Sequence, residues 1–165
     1  MAFHDDLLEQ ARHLANRERT RPRQASLRRA VSAAYYALFH LLISEASRNW
    51  KLPEQRSQLG RQFQHTLMKE ASTTQARVSA NQLKVPDLGV SARDLARHLE
   101  FVANTFASLQ DRRHRADYNT AARWTRSESL AHVDEAAEAF KRWRMIRTEA
   151  DSQKYLFSLL FKPRA

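Results

Sequence analysis

Two glycines and four prolines in 165 residues constrain this chain more than any other feature. Sheet proteins spend glycine on their hairpin turns, whereas long helices keep both residues out of their interiors. The runs between these few breakers are rich in alanine, leucine, arginine and glutamate, which are good helix formers. Within the runs, apolar residues return every three or four positions. The expectation is all-α: an antiparallel up-and-down bundle of four to five helices, filling a single domain over residues 1–165. Hydrophobic residues make up 42% of the chain, enough for a core and too many for a disordered protein.

The breakers and apolar stripes place the helices. A first helix is expected over residues 4–17, with Leu7, Leu8, Ala11, Leu14 and Ala15 on one stripe. A basic linker then runs to residue 24 and contains Pro22, which cannot continue a helix. The second helix, over residues 25–49, has the clearest pattern: Leu27, Val31, Ala34, Tyr35, Leu38, Leu41 and Leu42 form its core face. "KLP" at residues 51–53 ends it, and a shorter polar helix is expected over residues 54–72, with Leu59, Phe63, Leu67 and Met68 on one face. Residues 73–90 carry Pro86 and Gly89 and read as the longest irregular connection. Ser91 with Asp94 has the spacing of a cap for the next helix, whose buried stripe is Leu95, Leu99, Val102, Phe106 and Leu109. "RADYNTAARW" breaks the chain again, and Thr125 with Glu128 has the spacing of a capping box. The last helix is expected from about Ser127 to Phe157 or beyond, with residues 148–165 as a helical extension ending in the apolar block "YLFSLLF".

The net charge of +10 comes mostly from arginine, with 22 Arg against 6 Lys. Arginine offers phosphate a planar, bidentate fork, so this balance points to nucleic acid or another phosphate-bearing partner. The arginines concentrate in residues 12–29 and 109–126, two stretches that could converge in space. The absence of cysteine excludes disulfides, thiolate catalysis and zinc–cysteine sites. The histidines show no HExxH or other paired-ligand spacing, so neither a metal nor an organic cofactor is expected. "MAFHDDLLEQ" lacks the apolar segment of a signal peptide, and no apolar run approaches the roughly 20 residues of a membrane helix. A cytoplasmic protein with no membrane partner is the expectation.

Two stretches carry candidate chemistry. On the second helix, Arg29, Ser32, Tyr36 and His40 follow at intervals of three, four and four, so they form one line beside the core face. Guanidinium, hydroxyl, phenol and imidazole in one row would suit a polar groove or a half-buried dimer seam. The second stretch is "QDRRHRADYN", residues 110–119, which follows a strongly apolar helix. A cation at the end of a helix complements the dipole, but that accounts for one arginine rather than three.

Together, "RRAVSAAYYALFH" (residues 28–40) and "LQDRRHRADYN" (residues 109–119) resemble the HEPN domains, in particular small stand-alone prokaryotic members with a YYAxFH helix and an RxxADY turn. The resemblance covers roughly residues 25–147. It implies a four- to five-helix bundle, a homodimer, and a cleft across the two-fold axis formed by paired polar faces. HEPN proteins are metal-independent ribonucleases or non-catalytic RNA- or nucleotide-binding modules. Some are toxins encoded beside a minimal nucleotidyltransferase antitoxin, and others serve in phage defence. Carried onto this chain, the resemblance makes Arg113, His114, Asp117 and His40 the candidate catalytic residues. Arg29, Tyr36, Arg112, Arg115, Tyr118 and Arg126 are the candidate RNA contacts.

The chain departs from the ribonuclease pattern at one point. Catalytic members separate an arginine from the following histidine by four to six intervening residues, so that imidazole moves the proton while guanidinium stabilises the phosphorane. Here Arg112 is followed at that spacing by Asp117, a poorer proton donor near neutral pH. Arg93 with His98 and Arg126 with His132 have suitable spacings, but a chain with 22 arginines and seven histidines supplies such pairs by chance. The expected functions are therefore an RNA-binding protein acting as a metal-independent endoribonuclease, or a non-catalytic interaction module that works with a partner such as a nucleotidyltransferase.

Overall fold

The computed structural model describes residues 1–162, and these contain seven helices and no strand. Five are long: α1 (Phe3–Asn16), α2 (Gln24–Arg48), α4 (His65–Gln82), α5 (Val90–Tyr118) and α6 (Arg126–Ile146). Two are short: α3 (Pro53–Gly60) and α7 (Ala150–Ser158). Residues 163–165, the tail of the expected C-terminal extension, lie outside the described part.

α2 is the axis of the fold and touches α1, α3, α5, α6 and α7. Its surroundings explain why fifteen of its 25 residues are buried and why its polar and apolar faces are poorly separated. Leu27, Val31, Ala34, Tyr35, Leu38, Leu41 and Leu42 are core, as their spacing predicts, and Ala33, Ala37 and Phe39 join them. The stripe of α5, Leu99, Val102, Phe106 and Leu109, meets them with Val133, Phe140 and Trp143 of α6.

Cross-helix contacts fix the directions. Phe3 meets His40 and Glu18 meets Ser26, so α1 and α2 are antiparallel. Ser32 meets Asp117 and Arg28 meets Ala116, so α2 and α5 are antiparallel as well. Leu27 meets Ser129 and Glu45 meets Trp143, so α2 and α6 run the same way. α4 also runs with α2, because α3 carries the chain back up before α4 starts beside Tyr35. The direction therefore alternates from α1 through α6, with short α3 supplying the return between α2 and α4.

Four boundaries differ from the sequence expectation. The polar segment after Pro53 is two helices rather than one, separated at residues 61–64. α4 continues to Gln82, so most of the expected irregular connection is helical. α5 starts on Gly89 without a side-chain cap, so the Ser91–Asp94 pattern goes unused. Thr125 and Glu128 do form the expected capping box, with Glu128 N–H donating to Thr125 Oγ1 at 3.1 Å and Thr125 N–H to Glu128 at 2.8 Å. The expected long last helix is interrupted at residues 147–149, and the bend lets α7 turn Tyr155, Leu156 and Leu159 into the core. Tyr155 is fixed there by a 2.8 Å hydrogen bond with Ser72, whose hydroxyl donates to the Met68 carbonyl.

Candidate functional site

"QDRRHRADY" is helical throughout, because α5 runs to Tyr118. Successive residues therefore point about 100° apart, and the three arginines separate onto different faces. What closes this helix is Arg28 of α2. Its guanidinium donates to the carbonyls of Ala116 and Asn119 at 2.9 Å, Thr120 at 3.0 Å and Ala122 at 2.6 Å. Beside it, the Gln24 side chain donates to the Trp124 carbonyl and accepts from the Trp124 N–H. The N-terminal turns of α2 thus hold the loop that follows α5.

Arg113 faces α2. Its guanidinium carbon lies 5.3 Å from the Tyr35 ring centre and 5.6 Å from that of Tyr36, within cation–π range. Nη1 is 3.5 Å from Asp117, one turn further along α5, and Asp117 accepts a hydrogen bond from Ser32. The Arg113 side chain is 12% exposed, and its buried Nε has no hydrogen-bond partner among the described residues. Burial works against this charge, but the Tyr36 and Tyr35 phenols and the Asp117 carboxylate outweigh it and hold the pKa above the usual arginine value.

A histidine that the sequence pattern did not single out completes this group. His65, the first residue of α4, receives the Tyr35 hydroxyl at Nδ1 at 2.6 Å and stacks on Phe39 at 4.4 Å. Burial raises the Tyr35 pKa, so the phenol stays protonated. With no other acceptor for its O–H among the described residues, Tyr35 donates to Nδ1, which leaves the His65 proton on Nε2. Burial, and after it the Arg113 charge, lowers the His65 pKa, so the ring is neutral around pH 7. The result is a guanidinium, a phenol and a neutral imidazole on one corner of the bundle.

The α2 row continues from this corner. Arg29, Ser32, Tyr36 and His40 line a groove of about 490 Å³ whose opposite wall is α1. Ser32 is buried, Tyr36 and His40 are half-buried and Arg29 is exposed. His40 sits edge-on to Phe3 at 4.9 Å, and burial followed by the nearby His4 and His65 lowers its pKa.

The remaining candidates lie elsewhere. His114 and Tyr118 are exposed and pack on one another at 4.9 Å, on a different face from Arg113. His114 has no contact with His40 within the chain. Arg112 faces α6, bonding Ser108 and approaching Glu135 at 3.4 Å, the same carboxylate that His132 approaches at 3.4 Å. Arg115 covers the Trp124 ring at 5.4 Å. Arg126 donates to the carbonyls of Glu18 and Arg19, tying α6 to the basic linker. Of the ten sequence candidates, Arg29, Tyr36 and His40 therefore share one groove, and Arg113 and Asp117 join it through their contacts with Tyr36 and Ser32.

The class this defines is an arginine-rich, all-helical bundle with a groove of mixed polar and apolar lining beside a half-satisfied, buried guanidinium. No family model matches the chain, and comparison with curated proteins and with solved structures finds no match. The resemblance to HEPN domains therefore rests on the two motifs. Among the described residues there is no cluster of three metal-ligating side chains and no helix long and apolar enough to cross a membrane.

Proposed function

We propose that this chain is a HEPN-like RNA-binding protein, working as a homodimeric, metal-independent endoribonuclease in a toxin–antitoxin or phage-defence setting. The observation that carries the reading is Arg113, a sequestered guanidinium whose terminal nitrogens make one ion pair, at 3.5 Å to Asp117, beside a neutral imidazole. A phosphodiester docked there would accept from Arg113, and charge developing on its oxygens would be stabilised by the same group. Transphosphorylation also needs a proton carrier near neutral pH. His65 supplies one where the motif brings only Asp117 to Arg113, its His114 lying on another face, and His40 lies along the same α2 row.

The test is incubation of the purified protein with total RNA and excess chelator, alongside Arg113→Gln and His65→Asn. Cleavage that resists the chelator and falls at least 100-fold in both variants is expected, since each removes a group acting on the transition state. Equal cleavage by the Arg113 variant would place the chemistry elsewhere.

A second reading, a non-catalytic module that docks a partner such as a nucleotidyltransferase, draws on the opposite end of the molecule. Trp50, Phe157 and Phe161 are 50%, 67% and 51% exposed around an apolar hollow of about 250 Å³. Growth that continues when the chain is expressed alone, with RNA left intact, would favour it.

A further inference from the structure

We infer that the groove between α1 and α2 is a track for single-stranded RNA that leads to Arg113; this rests on the RNA-binding reading above. The groove beside Arg29 does not stop at His40. A second hollow of about 380 Å³ starts there and continues toward the end of α2 and the α3 helix, sharing Phe3 and His40 with the first. Arg17 and Arg29 stand at one end, and Arg48 and Arg56 at the other. No aspartate or glutamate lines either hollow, in a chain that carries 18 of them. Arg48 is paired with Glu45 at 3.2 Å, but Arg17, Arg29 and Arg56 have no ion pair among the described residues, so both ends of the groove carry excess positive charge, which draws a polyanion rather than a mixed-charge peptide.

The floor suits bases. Phe3 is 60% exposed and meets His40 edge-on, and the Tyr36 ring lies 6.4 Å from the His40 ring. Stacking surfaces between cationic ends are how sequence-tolerant grooves hold unpaired nucleotides. A duplex has its bases already stacked and cannot use them. Hydroxyls from Ser44 and Ser57 line the lower half with Ser47, a 6% exposed residue whose Oγ has no partner among the described residues. The distance from Arg29 to Arg48 is 19 residues of helix, about 28 Å, which holds roughly four nucleotides, the short end of single-strand site sizes. At the upper end Ser32 hydrogen-bonds Asp117 and Tyr36 lies under Arg113, so a strand in the groove arrives at the guanidinium.

The experiment is fluorescence anisotropy of a labelled eight-nucleotide oligouridylate against salt concentration, with the full-length protein and with an RNA duplex for comparison. Five phosphate contacts, four along the groove and one at Arg113, predict a slope of about −3.5 in log K against log salt. Arg17→Gln with Arg29→Gln, both exposed positions, should reduce that slope to about −2.1, while Phe3→Ala should weaken binding about tenfold with the slope unchanged. Circular dichroism confirms that each variant is folded. Groove variants that bind like the parent while Arg113→Gln loses affinity would overturn the track and leave the RNA-binding reading standing. Equal affinity for duplex would also overturn it. A parent protein that binds neither RNA would overturn both.

Discussion

Arg28 and Arg113 both bridge α2 and α5, and they use the same guanidinium in opposite ways. Arg28 spends its donors on four backbone carbonyls between residues 116 and 122. Arg113 has one ion pair at 3.5 Å, two aromatic faces and a buried N–H with no acceptor. A guanidinium carries five donors. Where the terminal Nη donors are consumed by backbone carbonyls the residue is a fastener; where they are left over beside a groove, an incoming anion can accept from them. Arg93 and Arg126 behave like Arg28 at their Nη groups, closing the turn after α4 and the linker after α1 through backbone carbonyls, although the Nε of Arg126, like that of Arg113, is buried without a partner among the described residues. Part of the positive charge that suggests RNA at first reading is therefore structural.

The largest effect that distinguishes the two is on stability. Arg28→Met should cost about 3 kcal/mol in chemical denaturation, because carbonyls of the post-α5 loop lose charge-assisted partners together. Arg28→Lys should recover only part of this, since a point charge cannot reach four acceptors in a fork. An unchanged denaturation midpoint in Arg28→Met would end its role as a fastener.

Arg113→Met should do the reverse. Stability should change by less than about 1 kcal/mol, because removing an under-satisfied, buried charge relieves desolvation that offsets the lost Asp117 pair. RNA affinity should fall at least tenfold in the same protein, as expected for loss of a charge-assisted phosphate contact. A destabilisation as large as that of Arg28→Met, with affinity intact, would make Arg113 a second fastener and remove the site.

The contrast also shows what could be read from the linear chain. Helices and core stripes were legible because burial imposes a period on leucine, valine and phenylalanine, and the Thr125–Glu128 box because capping is local. The split at residues 61–64 was not, since it contains neither proline nor glycine beyond Gly60 and is set by how α3 returns along α2. The α2 row was legible as a row, and its groove needed α1 as the second wall. Arg28 and Arg113 look alike in sequence, both lying in arginine pairs, and their difference depends on which carbonyls come within reach. His65 carried no signal, because its meaning comes from a contact with Tyr35, 30 residues earlier.

The smallest effect is on pH dependence, and it too separates the two arginines. Burial lowers the pKa values of His4, His40, His65 and His132 below the usual 6.5. Between those values and 6.5 the unfolded chain binds more protons than the folded one, so stability rises with pH. The contribution is present above about pH 6.5 and is lost as pH falls through the folded values. Thermal melts should therefore show the midpoint dropping from pH 7.5 to 5.5. Part of the lowering at His65 comes from the Arg113 charge, so Arg113→Met lets that imidazole titrate closer to 6.5 and should make the slope shallower. Arg28 contacts only carbonyls and should leave the slope as it is, however far its variant lowers the midpoint itself. Parallel slopes for all three proteins would mean that the Arg113 charge is not felt at His65. The guanidinium and the imidazole would then act as separate groups and not as one site.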